Sequence, residues 1–304
     1  MISLRYHAVS IGAVFLALAL GVLLGASGVS DRLLSAVSTE RDDLGEQVQE
    51  LTAERDELAA AQRASDEFAR RVGPAAVGGV LDGQSVVLVT ADGADPADRD
   101  GLLTLLGQAG ATVGGEVALT EAVGDPARAD QLRELTAALL PPGAQLPAAS
   151  DTGSLLGGLL GGALLPGAQP DQAAAVLTGL ASAGFVRPGE VPAPSPLVLV
   201  LTGGALTGID AADAAAVVTR LAAELDRRGA GAVLAGRSGS ADNTGSVGVA
   251  RADPSVTAAL STVDDVQSGS GQVSAVLALR EQLDGRSGRY GTAATAADGA
   301  APAA

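Results

Sequence analysis

Cysteine and lysine are both missing from this chain of 304 residues, and each absence removes a class of chemistry. Without cysteine there is no disulfide, no thiolate nucleophile and no thiolate metal ligand. Without lysine there is no Walker-type phosphate loop, whose lysine is part of the mechanism. All 19 basic residues are therefore arginines. Histidine and methionine occur once each, as His7 and Met1, so a Ser-His-Asp device in any later part of the chain lacks its base. Tryptophan is absent and aromatic residues make up 2% of the chain, so any core is aliphatic and packs against glycine and alanine. Positive charge is also scarce: 35 acidic residues leave a net charge of -16. That balance excludes the basic patches that nucleic-acid binding needs, and it disfavours docking on anionic lipid headgroups.

What is present begins with an apolar run. Residues 8 to 30, AVSIGAVFLALALGVLLGASGVS, carry no charge. About 23 residues suffice to cross a bilayer core as a helix. The run exceeds the usual apolar region of a cleaved signal peptide, although Ala26-Ser27-Gly28 resembles a weak cleavage site. An uncleaved signal anchor over residues 1–30 is the favoured expectation. Arg5 precedes the span, whereas Asp31, Arg32, Glu40 and Asp42 follow it. The positive-inside bias then places the N-terminus in the cytoplasm and the remainder outside, in the cell envelope.

Residues 31–73 read in heptads. Leu34, Arg41, Val48, Arg55, Gln62 and Ala69 occupy one core row, and Val37, Leu44, Leu51, Leu58, Ser65 and Val72 the other. Val37, Leu44, Val48, Leu51 and Leu58 form the apolar seam of a coiled-coil stalk. A parallel homodimer, pairing with another protein's helix, a single helix folded back on its own domain and a solvated spacer all satisfy this pattern. Gly73-Pro74 is expected to end the helix, with a joint at Gly78-Gly79.

From residue 80 to 291 the pattern is that of an α/β domain. SVVLVT (Ser85 to Thr90) and LVLVLT (Leu197 to Thr202) are short β-branched runs bounded by turn residues, as buried strands are. Each leads through a loop into a helical stretch, then into another extended piece at Thr112 and at Ala232. This alternation predicts an open, mostly parallel sheet flanked by helices. A helix is expected near Asp125 to Leu140. GSLLGGLLGGALL (Gly153 to Leu165) sets leucines on one helical side and glycines on the other. It is too short to span a bilayer, which leaves a membrane-touching or oligomer-forming hairpin, or a flexible apolar flap over the domain's core. Residues 292–304, rich in alanine, threonine and glycine, are expected to be a disordered tail.

Candidate chemistry is sparse. Asp92, Asp95, Asp98 and Asp100 could offer oxygen ligands to a hard cation, but a solvated helix-entry loop explains them better. Asp264 and Asp265 are adjacent and diverge on either a strand or a helix, so no shared acid–base pair is expected. No catalytic residue, cofactor or metal site is assigned, and an enzyme is not expected. In the terminal stretch Ser261 to Gly291, the candidates for a docking surface are Asp264, Gln272, Arg280 and Tyr290. The alternative there is a C-terminal helix that closes the sheet.

The opening MISLRYHAVSIGAVFLALALGVLLG and the closing STVDDVQSGSGQVSAVLALREQLDGRSGRYG resemble the two ends of the actinobacterial copper transporter family of the MctB type. Anchor, stalk, VLVT strand and terminal motif follow in the same order, so the resemblance covers nearly the whole chain. It implies a membrane-associated protein linked to copper homeostasis and efflux across a mycolate envelope, with a pore-forming role. Related members resemble coiled-coil envelope proteins that work with a partner in cell-wall assembly. Copper association is thus implied by the family alone. Copper prefers thiolate, thioether and imidazole ligands, which this chain offers only at its cytoplasmic tip. One spanning segment, without the alternation of a membrane barrel, means that a pore needs several copies or a large rearrangement. Two function classes follow: a copper-homeostasis component of the envelope, and a non-enzymatic coiled-coil scaffold for a partner in cell-wall assembly or division.

Overall fold

The computed structural model describes residues 4–25 and 29–302, in two compact units, residues 1–64 and 65–304. The Ala26-Ser27-Gly28 site and the side chain of Leu34 lie outside the described residues.

The first unit is helical. Helix α1 (Leu4–Gly25) contains the apolar stretch Arg5–Leu23, with a mean hydropathy of 2.0 and none of it buried. Its length suits a bilayer crossing. Helix α2 (Val29–Val77) starts here and is unbroken over 49 residues. Its exposed surface carries ion pairs such as Arg41–Asp42 at 3.0 Å and Arg55–Asp56 at 2.6 Å. Among its apolar residues, Val37, Leu44, Val48, Leu51 and Leu58 remain 55–64% exposed.

The second unit opens with the last turns of α2. Gly73-Pro74, expected to end the helix, lies inside it, and the helix runs on to Val77. Two contacts explain the extension. Val77 is fully buried, and Gly73 sits so close to Val273 that a Cβ there would lie 2.8 Å from its methyl group. At the expected joint, Gly79 adopts a left-handed φ of +75°, which favours glycine, and it lies inside the second unit, between the buried Val77 and Leu81.

Beyond it lies a six-stranded, wholly parallel sheet: β1 (Ser85–Thr90), β2 (Thr112–Ala118), β3 (Leu197–Leu201), β4 (Gly231–Ala235), β5 (Ser261–Val263) and β6 (Arg289–Tyr290). The spatial order is β2-β1-β3-β4-β5-β6, a doubly wound arrangement with its reversal between β1 and β3. Strands β1, β3 and β4 read as continuous apolar runs because both faces are covered. One face presents Val87, Val89, Val198, Val200 and Leu234 to α4 (Ala129–Ala138), α5 (Thr152–Leu164), α6 (Pro170–Ser182), α7 (Ala211–Arg228) and α8 (Ser246–Ala252). The other presents Val86, Leu88, Leu199 and Val233 to α3 (Pro96–Gln108), α10 (Gly269–Leu283) and the end of α2. A short α9 (Pro254–Thr257) precedes β5. Helix α10 joins β5 to β6 in the direction that α7 joins β3 to β4, yet it packs on the opposite face. That last crossover therefore has the opposite hand to the one through α7, an uncommon arrangement for parallel strands.

The Leu/Gly segment is neither a hairpin nor a flap. It forms α5, which is buried at every residue but Gly162. Its leucines Leu156, Leu159, Leu160 and Leu164 enter the core, and its glycines bring it against α7. A Cβ at Gly157 would lie 2.8 Å from Glu224 Cβ and 2.9 Å from the Leu221 carbonyl oxygen. Small residues here set a helix separation inside the core of the α/β unit. The helix expected at Asp125 to Leu140 begins as a short turn at Pro126–Arg128 and continues as α4.

Candidate functional site

In doubly wound sheets the loops at the carboxyl ends of the strands flank a crevice where the winding reverses. Here the loops after β1, β2 and β3 enclose a cleft of about 700 Å³. Its lining includes Asp92, Glu121, Asp125, Arg128, Thr202 and Asp210. Asp92 pairs with Arg187 at 3.3 Å, and Asp125 accepts a bond from the Ala127 amide at 2.9 Å. Asp210 stands at the start of α7 without making a side-chain cap. The Arg128 guanidinium donates to Gln131 Oε1 and to the Ala183 carbonyl at 2.6 Å, and it lies 4.3 Å from the centre of the Phe185 ring. Ile209, at the mouth, is 99% exposed.

Two ionic clusters stand further along the same sheet edge. After β4, Arg237 reaches Asp95 at 2.7 Å and the buried Asp98 at 2.9 Å. Burial holds the Asp98 carboxyl above its ordinary range, against the pull of Arg237. After β5, Arg251 and Asp264 pair at 2.5 Å, each side chain 2% exposed. Arg251 also donates to the Tyr290 carbonyl at 2.7 Å, and Asp264 accepts from the Thr292 amide at 2.8 Å. Burial pushes the neighbouring Asp265 carboxyl up, opposed by a bond from the Ser268 hydroxyl at 2.9 Å. The Tyr290 hydroxyl donates to Glu281 at 2.5 Å, and burial drives this phenol's pKa well above its ordinary value.

These contacts place each candidate from the sequence. Asp264 and Tyr290 are buried beside one another and joined through Arg251. Gln272 packs against Gly101 of α3, and Arg280 is exposed and pairs with Asp284 at 3.0 Å. The four therefore do not share one exposed face: two are interior because β6 and the following segment close over them. Residues 292–302, expected to be disordered, supply that closure through Thr292, through Asp298 bonded to Arg289, and through the Ala300 carbonyl bonded to Ser274. Asp92, Asp95, Asp98 and Asp100 go to Arg187, Arg237 and Arg99 instead of converging. Among the described residues no three His, Cys, Asp or Glu side chains gather closely enough to hold a metal ion. Seam residues Val37, Leu44, Val48, Leu51 and Leu58 lie on α2, exposed. Sequence reasoning missed Arg251 and the cleft, because both depend on strand order, which no local pattern encodes.

Comparison with known proteins bears on the whole chain. The family model described as "Copper transport outer membrane protein, MctB" matches residues 1–301. A protein of Mycobacterium tuberculosis (strain ATCC 25618 / H37Rv) named "Copper transporter MctB" is 41% identical over 304 residues, covering 96% of each chain. A relative of the same name from Mycobacterium leprae (strain TN) is 38% identical over 307 residues, again covering 96% of each. With the apolar helix, the long helix and the parallel α/β unit all inside the matched span, this chain belongs to the MctB copper transport outer membrane protein family.

Proposed function

We propose that this protein is a non-enzymatic, membrane-anchored component of the cell envelope that contributes to copper homeostasis. The family match over residues 1–301 carries the reading, and the relatives named copper transporters support it. Helix α1 serves as the single span. The lone Arg5 before it and the acids after it favour a cytoplasmic N-terminus and an extracytoplasmic α/β domain. The chain contributes by assembly, not through a selective copper site of its own, since it lacks cysteine and has one methionine and one histidine. Some of its carboxylates, Asp95, Asp98 and Asp264 among them, are drawn into arginine pairs.

Assembly is assigned to α2. An apolar seam left 55–64% exposed suits a parallel coiled-coil homodimer or a partner's helix. The same observation favours a second reading, a scaffold that recruits a partner for cell-wall assembly or division. Deleting the gene and measuring cell-associated copper beside septum morphology separates the two. Copper accumulation with normal septa supports copper homeostasis; aberrant septa with unchanged copper supports the scaffold.

A further inference from the structure

Arginine interrupts the first core row of α2 at two places, Arg41 and Arg55. Within the chain Arg41 pairs with the adjacent Asp42 at 3.0 Å and Arg55 with the adjacent Asp56 at 2.6 Å, all four side chains being 62–81% exposed. Exposed pairs of this kind contribute little, so both guanidiniums are available to a partner. The residue before each arginine is a glutamate, Glu40 or Glu54. Before the other first-row positions stand Leu33, Gln47, Ala61 and Phe68, none of them charged. Acid and base thus coincide at the two places where the row is polar.

That coincidence selects a geometry. In a parallel coiled coil each core side chain enters a hole made by four residues of the facing helix. With two copies in register, Arg41 enters the hole formed by Val37, Glu40, Arg41 and Leu44 of the second copy. Arg55 enters the hole formed by Leu51, Glu54, Arg55 and Leu58. Each arginine then lies against the glutamate of the other chain, and the two bases and two acids at each level cancel. A flanking glutamate usually reaches across to the residue five positions further along the facing helix. Here those residues are Gly45 and Ala59, which carry no charge, so the facing arginine is its cation. The planar guanidinium suits a carboxylate at a half-buried seam.

Direction follows from the same pattern. An antiparallel pair sets the two core rows against each other, which would face both arginines with the apolar Val37, Leu44, Leu51 and Leu58. The position of α2 agrees, since it starts at Val29, soon after the apolar α1 ends at Gly25. Two copies anchored through α1 leave one bilayer side by side and in the same direction.

We propose that α2 pairs with α2 of a second copy, parallel and in register, through reciprocal Glu40–Arg41 and Glu54–Arg55 pairs between the chains. The inference rests on the assembly role assigned to α2 above and deepens it. It selects a second copy over another protein's helix, and it fixes direction and register.

The test co-expresses two full-length copies, carrying tags of different size, and oxidises them mildly in isolated membranes. Same-position cross-links are expected for Leu44→Cys and, separately, for Leu58→Cys. A product joining Leu44→Cys of one copy to Leu58→Cys of the other, stronger than either, overturns the parallel register. Absence of every cross-link overturns the homodimeric reading of α2 as well. In the Leu44→Cys background, Arg41→Glu with Arg55→Glu brings acids together, and Glu40→Arg with Glu54→Arg brings bases together. Each variant alone should cross-link about tenfold less than the parent. Co-expressed, the two variants meet with opposite signs at every contact, so the mixed product should return to the parent level, which also shows that both fold. Undiminished cross-linking in either variant alone, or a mixed product no stronger than the unmixed ones, overturns the charge pairing and leaves a homodimer held by its apolar rows.

Discussion

Arg251 and Asp264 set the energetic stakes at the scale of single residues. A charge pair with both side chains 2% exposed persists only while both partners are present, because removing one leaves the other buried and uncompensated. Arg251→Leu alone should therefore cost about 3–5 kcal/mol. The double change Arg251→Met with Asp264→Leu should recover much of that loss. Urea denaturation of the full chain, followed by circular dichroism, checks both. Asp265 gives a pH signature of a different kind. Burial raises its folded-state pKa, so the folded chain binds the proton more tightly than the unfolded chain. Its contribution to stability therefore rises as pH falls from about 7 toward the ordinary carboxylate range, and is lost again on returning upward. In Asp265→Asn that component should vanish, leaving a flatter profile and higher stability near pH 7. An equal pH slope in variant and parent would contradict the assignment. Asp264 and Asp265 do diverge, as their adjacency suggested, although both lie just past the end of β5 and not on the strand: one meets Arg251, the other Ser268. Their partners were not legible. Arg251 comes from the end of α8, and the packing of α8 against β5 brings it to Asp264.

Among the elements, α5 and α2 carry opposite lessons about apolar patterns. In α5 the leucines and glycines read as a two-faced helix, and a helix forms. What the pattern could not supply was the second surface, because α7 begins only at Ala211, well downstream of the end of α5 at Leu164. Gly157→Leu should destabilise the fold by several kcal/mol, since its side chain would enter the space held by Leu221 and Glu224. Gly162→Ala is the control. No atom lies within 4 Å of a Cβ there, and the change should stabilise the helix by up to about 1 kcal/mol. Thermal unfolding of the two variants ranks them, and equal effects would mean that the close approach of α5 to α7 is not what the glycines serve. In α2 the heptads are legible as a helix, and the apolar row stays exposed within the chain. Paired cysteines introduced at Leu44 or Leu51 should cross-link between two copies under mild oxidation. No cross-link at either position, with Leu58 also tested, would remove the homodimeric stalk. Pro74 shows the reverse case: a strong local stop was overridden by burial of Val77.

For the whole molecule, the order of parts along the chain was legible: apolar span, charged helix, then strands alternating with helices. Strand order, the reversed last crossover and the position of the cleft were not, because each depends on which strands become neighbours. Membership of the MctB family supplies the functional frame, and the residues limit how it can be filled. A chain without cysteine and with one histidine offers few of the ligands that copper prefers, and the role proposed for it runs through anchoring and assembly. The most direct test is cell-associated copper in a deletion strain complemented in two ways. One strain carries the full chain, and the other a version in which the Arg5–Leu23 span is replaced by a cleavable secretion signal. The account predicts that only the anchored chain returns copper to its normal level. Full restoration by the released form would contradict it.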